Sequence, residues 1–373
     1  MIRLKRLTIR NLKNIGTGTL EFPPPDEDGG ASLLGIYGQN GSGKSGVIDA
    51  LEILKTLMSG RVLRPFCVSL IDTNARSAQL DATLETQTGD CTYSAVIGRL
   101  AGKPKVLSER FTGGRTVISE TDRQNGNGES AIFSDIGRTS PEMLRTARDF
   151  AGNGLEIIRT QNMNRLRISP ELELPLDTDF ELAPQQTMTV RRELRRLSPV
   201  LEQFVPGLRM QMSGGEGGRY ELETFRDGRS IPFRFESVGV QKIAASLPFL
   251  VRAFSSNECT LAADEFDFGI NELLFGEILE AFTKFGAGQL IFTSHNLRPL
   301  ELLEPDQIAF ATNDSSDRFR RIDIPGDSAE MRDAYYRRIL LGDDELYNRT
   351  SPYLISQALY EASIDEPENG EPS

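Results

Sequence analysis

Apolar residues alternate with polar ones at Ile2 and Leu4, then change phase to Leu7 and Ile9, which predicts a β-strand broken by a bulge near Lys5-Arg6. Residues 17–22 have strand character and are expected to pair with it as a hairpin, ended by Pro23-Pro24-Pro25. Residues 33–37 form a short apolar run of the kind found in a buried strand. Beyond a glycine-rich stretch, Val47, Leu51, Leu54 and Leu57/Met58 recur at helical spacing. Strand-like runs at 78–85, 91–100 and 106–111 predict an antiparallel layer. Residues 121–137, rich in Gly, Asn and Ser, read as a mobile loop, and helical and irregular stretches interrupted by prolines follow to Pro206. Two strands are expected at 219–225 and 231–235. The second half then reads strand (261–263), helix (Leu274, Ile278, Phe282) and strand (290–293), one βαβ unit with Asp264-Glu265 and Ser294-His295 at its strand ends. Open α/β sheets hold ligands at such ends.

The glycine-rich stretch is Gly38-Gln39-Asn40-Gly41-Ser42-Gly43-Lys44-Ser45, a match to G-x-x-x-x-G-K-[ST] with a strand before it and an amphipathic helix after it. Glycines there let backbone N–H groups surround phosphate oxygens without a Cβ in the way. Lys44 is placed to reach the β- and γ-phosphates and Ser45 to ligate magnesium, while the helix N-terminus adds its positive dipole end. Asp264-Glu265 reads as the acidic pair that completes such a site. Asp264 would hold magnesium through water and Glu265 would polarise the attacking water; an acidic helix start is the plainer alternative. His295, the only histidine, stands where it can bond a γ-phosphate, or is a surface residue at a strand end. Ser237-Val238-Gly239 opens a helix-like stretch and fits either an ordinary N-cap or a γ-phosphate site for a nucleotide held by another subunit.

Composition narrows the partners. Of the 373 residues 38% are hydrophobic and 26% charged, an ordinary globular balance. Three separated cysteines, Cys67, Cys91 and Cys259, form neither a zinc motif nor a disulfide framework. The basic start lacks the apolar region of a signal peptide, and no apolar run approaches the ~20 residues of a membrane span. A cytoplasmic protein without a membrane partner is therefore expected. The net charge of −12 argues against a general nucleic-acid coat, though not against a local basic groove. Arg191, Arg192, Arg195 and Arg196 share a helical face, read first as solvated; Tyr335-Tyr336-Arg337-Arg338 is a weaker cluster.

The order of these motifs resembles the ABC-type ATPase heads of the SMC, RecF and OLD group. Within that group the look is nearest to compact AAA-type ATPases of bacterial abortive-infection and phage-defence systems. Residues 35–44, Glu236-Ser237-Val238-Gly239 and Phe292-Thr293-Ser294-His295-Asn296 carry the resemblance. It implies an α/β P-loop NTPase of ABC-head type, with a mixed central sheet, an antiparallel β layer and a helical insertion. The corresponding divisions are an N-terminal lobe (1–120), the insertion (121–210), a C-terminal lobe (211–330), a helical segment (331–362) and an acidic tail (363–373), read as disordered.

The resemblance also implies ATP and Mg2+ as cofactors, with Lys13 and Asn14 in a nucleotide-contacting turn. Ser237 and Gly239 would act on the nucleotide of a second copy, in a homodimer or larger homo-oligomer closed by ATP. The motif departs from Leu-Ser-Gly-Gly, and 266–271 is not a standard D-loop, although Asp267 could serve as one at the dimer interface. Gln161 is a candidate Q-loop glutamine or a plain surface residue. The use implied first is a defence ATPase controlling a separate effector, such as a TOPRIM-type nuclease. A RecF-like repair clamp, a transporter ATPase and an ATP-regulated scaffold are the alternatives; the switch histidine and acidic charge count against the RecF-like reading.

Overall fold

The computed structural model describes residues 2–25, 30–122, 128–215, 218–321, 331–341, 346 and 351–363. A hairpin of β1 (Arg3–Leu12) and β2 (Ile15–Glu21) is followed by β3 (Ser32–Tyr37), the glycine loop, α1 (Lys44–Met58) and the short α2 (Cys67–Leu70). The meander β4 (Ser77–Thr86), β5 (Gly89–Leu100), β6 (Lys103–Gly113) and β7 (Thr116–Asp122) comes next, then α3 (Glu142–Asp149) and β8 (Leu155–Arg159). A smaller lobe holds β9 (Arg165–Ser169), β10 (Leu172–Pro175), β11 (Phe180–Glu181), α4 (Pro184–Phe204), β12 (Arg209–Gly214), β13 (Arg219–Arg226) and β14 (Arg229–Pro232). The chain returns through α5 (Val238–Ser255), β15 (Thr260–Asp264), α6 (Glu272–Phe285) and β16 (Gln289–Thr293). After these come β17 (Ile308–Ala311), β18 (Phe319–Arg320), α7 (Met331–Leu341) and α8 (Pro352–Ser363).

Among the described residues two six-stranded sheets dominate. The central one has the order β18-β17-β3-β16-β15-β8 and is parallel from β17 to β8, with β18 antiparallel at the edge. Every residue of β3, β15 and β16 is buried, as a parallel sheet covered on both faces requires. One face packs against α1 and the antiparallel sheet β2-β1-β4-β5-β6-β7, joining Ile36, Leu51 and Leu54 to Leu7, Leu80 and Phe111 in one core. The other face packs Leu33, Leu261 and Phe292 against Leu250 of α5 and Phe275, Ile278 and Phe282 of α6. A third core binds α4 and α5 to β12 and β13. The register of β1 against β4 shifts between Leu4 and Arg6, where the phase of the sequence breaks.

Two expectations change. Part of the expected mobile loop is packed: Ile132 and Phe133 are buried, Phe133 edge-on to Tyr93 and Phe111 at 5.1 and 5.8 Å between ring centroids. Beneath it the buried Glu109 carboxylate accepts from the Tyr93 and Ser130 hydroxyls, both at 2.5 Å, and from the Ala131 N–H at 2.6 Å. Two apolar residues decide the packing of a stretch whose average composition is polar; residues 123–127 lie outside the described residues. The range 121–210, expected as a helical insertion, contains β8, an edge strand of the central sheet. An apolar run of this length does not by itself distinguish a strand from a buried helical segment. The tail from 364 lies outside the described residues, the three cysteines are buried and free, and no described helix is long and apolar enough to cross a membrane.

The α4 arginines Arg191, Arg192, Arg195 and Arg196 are exposed, while Val190, Leu194, Leu197 and Leu201 form that helix's buried face. Replacing Phe133 by Ala should destabilise the protein by about 3–5 kcal/mol in urea unfolding, the usual cost of emptying a buried aromatic site. A loss below about 1 kcal/mol would show that this loop is not part of the core.

Candidate nucleotide-binding site

The carboxyl ends of four adjacent parallel strands converge: Tyr37 on β3, Thr293 on β16, Asp264 on β15 and Arg159 on β8. From Tyr37 the chain turns through Gly38, Gly41 and Gly43 at φ 147°, 80° and 103° before α1 begins at Lys44. A Cβ on Gly38 would stand 2.6 Å from the Ala311 carbonyl, so this position needs glycine for space as well as for φ. The Lys44 ammonium folds back over the loop, donating to the carbonyls of Gly38 (2.7 Å) and Gln39 (3.0 Å). Asn14 closes the other side by donating its amide to the Gly41 carbonyl. The helix start carries no capping side chain and no acid in its first turn, and Ser42 Oγ is buried without a hydrogen-bond partner. A loop lined by backbone, with an orphaned hydroxyl and an uncapped helix end, fits a phosphate chain.

Ser45 donates to Asp264 Oδ1 at 3.0 Å, and Thr293 donates to the same oxygen at 2.7 Å. Asp264 is buried, and its Oδ2 faces Arg159 Nη1 at 3.3 Å. Among the described residues no group of three His, Cys, Asp or Glu side chains is placed to hold a metal unaided. Magnesium usually takes only one or two protein ligands beside phosphate and water, so the Ser45–Asp264 pair fits it. Glu265 follows with φ 50°, a left-handed conformation costly for a residue with a side chain; its N–H is held by Thr293 Oγ1 at 2.8 Å. Burial, then the charges of Asp264 and Asp267, push the Glu265 carboxyl above its usual range against the pull of Lys44. Burial pushes the Lys44 ammonium down, opposed by Glu265, Asp264 and Asp267.

Gln161, two residues past the end of β8, donates its amide to the Glu265 carboxylate. His295 is exposed at the strand end, and partial desolvation followed by the Lys44 charge lowers its pKa. Asp267 accepts from the backbone N–H groups of His295 (3.1 Å) and Asn296 (3.0 Å), so within this chain it fixes the turn that carries the histidine. Lys13, next to Asn14, pairs with Asp49 on α1. Ser237 caps α5, accepting from the Val240 N–H at 3.3 Å, and is exposed. Gly239 packs so closely on Gly269 that a Cβ would stand 2.6 Å from the Gly269 carbonyl. Among the described residues no hydrogen bond joins Ser237 or Gly239 to residues 38–45 of the same chain.

Three contributors were missed from the sequence. Arg159 bonds Asp49 (2.5 Å), Glu52 (3.0 Å) and Asp264, tying α1 to the acidic strand end. Thr293 is the hydrogen-bonded bridge just described. Lys242 of α5 donates to the Gln161 and Met163 carbonyls, each at 2.6 Å, fixing the turn that carries Gln161. Thr293 was legible as the last residue of a strand ending beside Ser294-His295. Arg159 and Lys242 resemble many other basic residues and gave no signal before the strands were in register.

No protein-family model matches the chain. The DNA replication and repair protein RecF of Nostoc punctiforme is 36% identical over 221 residues, covering 53% of this chain and 55% of that protein. The RecF protein of Trichormus variabilis is 33% identical over 146 residues, covering 39% of this chain and 36% of that protein. The chain thus spans about half, or about a third, of the length of these curated relatives. Among solved structures, an Smc head domain with an extended coiled coil, bound to the C-terminal domain of ScpA and derived from Pyrococcus furiosus, superposes with a TM-score of 0.51 at 12% identity. That superposition covers 91% of this chain and 99% of the other. The fold is therefore the α/β P-loop fold of an ABC-type ATPase head, as in SMC proteins, and the chain's sequence similarity over the matched part is to RecF.

Proposed function

We propose that the chain is a Mg-ATP-dependent ATPase that closes as a head-to-tail dimer and uses hydrolysis to reopen. The convergence of Ser45, Asp264, Thr293, Glu265 and Gln161 at the strand ends carries this reading. Lys44, already turned over the loop, would exchange its carbonyl bonds for β- and γ-phosphate oxygens. Ser45 and Asp264 would hold magnesium, which supplies neutralising charge to the phosphates. Glu265 directs water at the γ-phosphorus, releasing ADP and phosphate, and Gln161 and Thr293 fix its position. His295 lies close enough to Lys44 to feel its charge, which supports a role in sensing the γ-phosphate. Ser237 stands exposed at a helix N-terminus, and around it Phe235, Val238, Phe268 and Leu273 expose apolar surface, which supports contact with a second copy.

For the biological role the sequence kinship favours DNA replication and repair, for which the RecF relatives are named, and the ATPase proposed here would act in it as an ATP-driven clamp. The second reading, a defence ATPase holding a separate effector such as a TOPRIM-type nuclease, draws support from His295 at the strand end and from the net charge of −12. A clamp should bind duplex DNA more tightly with ATP than without it, and more weakly as salt rises. Absence of DNA binding in either state would leave the effector reading.

Glu265→Gln should slow hydrolysis by about a hundredfold or more and accumulate an ATP-bound dimer on sizing, while Lys44→Ala should lose turnover. A monomer under ATP with hydrolysis unchanged would contradict both the role of Glu265 and the dimer. The rate should rise with pH as Glu265 ionises, through a value above the ordinary carboxylate range. Asp267→Asn removes one charge that raises this value, so the acidic limb of the pH–rate profile should move to lower pH. An unmoved limb would take the titration away from Glu265.

A further inference from the structure

Behind β8, away from the glycine loop, lies a cleft of about 570 Å³ lined by α1, α4, α5 and β9. At its base Glu156 is buried and shared among cations: Arg252 Nη1 at 2.5 Å, Arg167 Nη1 at 3.0 Å and Lys55 Nζ at 3.8 Å. One carboxylate cannot neutralise three cations. Arg61 adds a further exposed charge to the wall, and Arg196 pairs with Glu193 at its rim. The Arg167 guanidinium lies over the Phe249 ring at 4.3 Å; its Nε is buried without a hydrogen-bond partner, 3.5 Å from the nearest carboxylate, Glu173. Counting Glu173, five cations face three carboxylates, a positive surplus in a chain whose net charge is −12. Burial, together with Arg167, Arg61 and Arg252, lowers the Lys55 pKa despite Glu156, in keeping with that surplus.

We propose that this cleft binds a phosphate-rich small molecule of nucleotide size at a site separate from the glycine loop. Its volume lies within the range of ligand pockets, and its donors converge within a concavity instead of spreading along a surface. Three of its elements also reach the nucleotide site. α1 carries Ser45 and Lys55, β8 carries Glu156 and Arg159, and α5 carries Lys242 and Arg252. A ligand drawing Arg167 or Arg252 from Glu156 would act on the strand that positions Arg159 against Asp264. This regulatory consequence rests on the ATPase reading; the binding site does not.

The test is calorimetric titration of the full chain carrying Lys44→Ala with inorganic tripolyphosphate. Saturable binding is expected, weakened roughly tenfold or more by Arg61→Ala with Arg196→Ala, since charge-assisted hydrogen bonds carry that much. Neither arginine bonds Glu156, so the base of the cleft should stand; the exposed Arg226→Ala on β13 should bind as the parent does. No saturable binding, or binding unaffected by Arg61→Ala with Arg196→Ala, would overturn the proposal, the latter placing the anion elsewhere, including the glycine loop. Displacement by oligothymidylate with affinity rising with its length would also overturn it, in favour of a nucleic-acid surface.

Discussion

The sharing of the Asp264 carboxylate among three partners sets the geometry of the site. Ser45 comes from the helix after the glycine loop, Thr293 from the neighbouring strand and Arg159 from the strand on the other side. These groups meet only because β8, β15, β16 and β3 run parallel and in register, so that Arg159, Asp264, Thr293 and Tyr37 end close together. A slip of one residue would turn alternate side chains to the opposite face and dissolve the cluster. Burial strengthens the interaction and also makes it exacting, since a buried carboxylate left without partners is costly. Arg159 meets this demand while also binding Asp49 and Glu52 of α1, so the helix carrying Lys44 and Ser45 is coupled electrostatically to the acidic strand end.

Around this hub, hydrogen bonds tie together the segments that carry the other candidate residues. Asp267 ties the turn of His295, Thr293 ties the strained Glu265, and Lys242 ties the turn of Gln161 to the helix capped by Ser237. Glu265 is thereby held in a conformation that a free chain would avoid. The helix that presents Ser237 outward thus shares a direct contact with the turn whose Gln161 bonds Glu265. In the proposed dimer that contact would link a second copy seated on Ser237 to Glu265.

Most of the sheet was legible because its signals are local. The bulge after Leu4 announced itself by a change of phase, the glycine loop by its spacing, and the βαβ unit by strands ending in polar residues. Asp264, Glu265 and His295 stand out as candidates by their position relative to those strands. What escaped depended on distant partners: β8 reads as a short apolar run until it is placed beside β15, and Phe133 is hidden in polar surroundings until Tyr93 and Phe111 receive it. Arg159 and Lys242 belong to the same class, because a basic residue acquires its meaning from the carboxylate or carbonyl it meets.

The central claim is that each chain holds half of two composite sites, with Lys44 and Ser237 acting on the same nucleotide from different copies. Mixing a Lys44→Ala chain with a Ser237→Arg chain tests it most directly through ATP turnover. Each variant alone should be inactive, and the mixture should regain partial activity, since the mixed dimer keeps one site with both residues intact. A mixture as inactive as its parts, or a Ser237→Arg chain as active as the parent, would contradict the account.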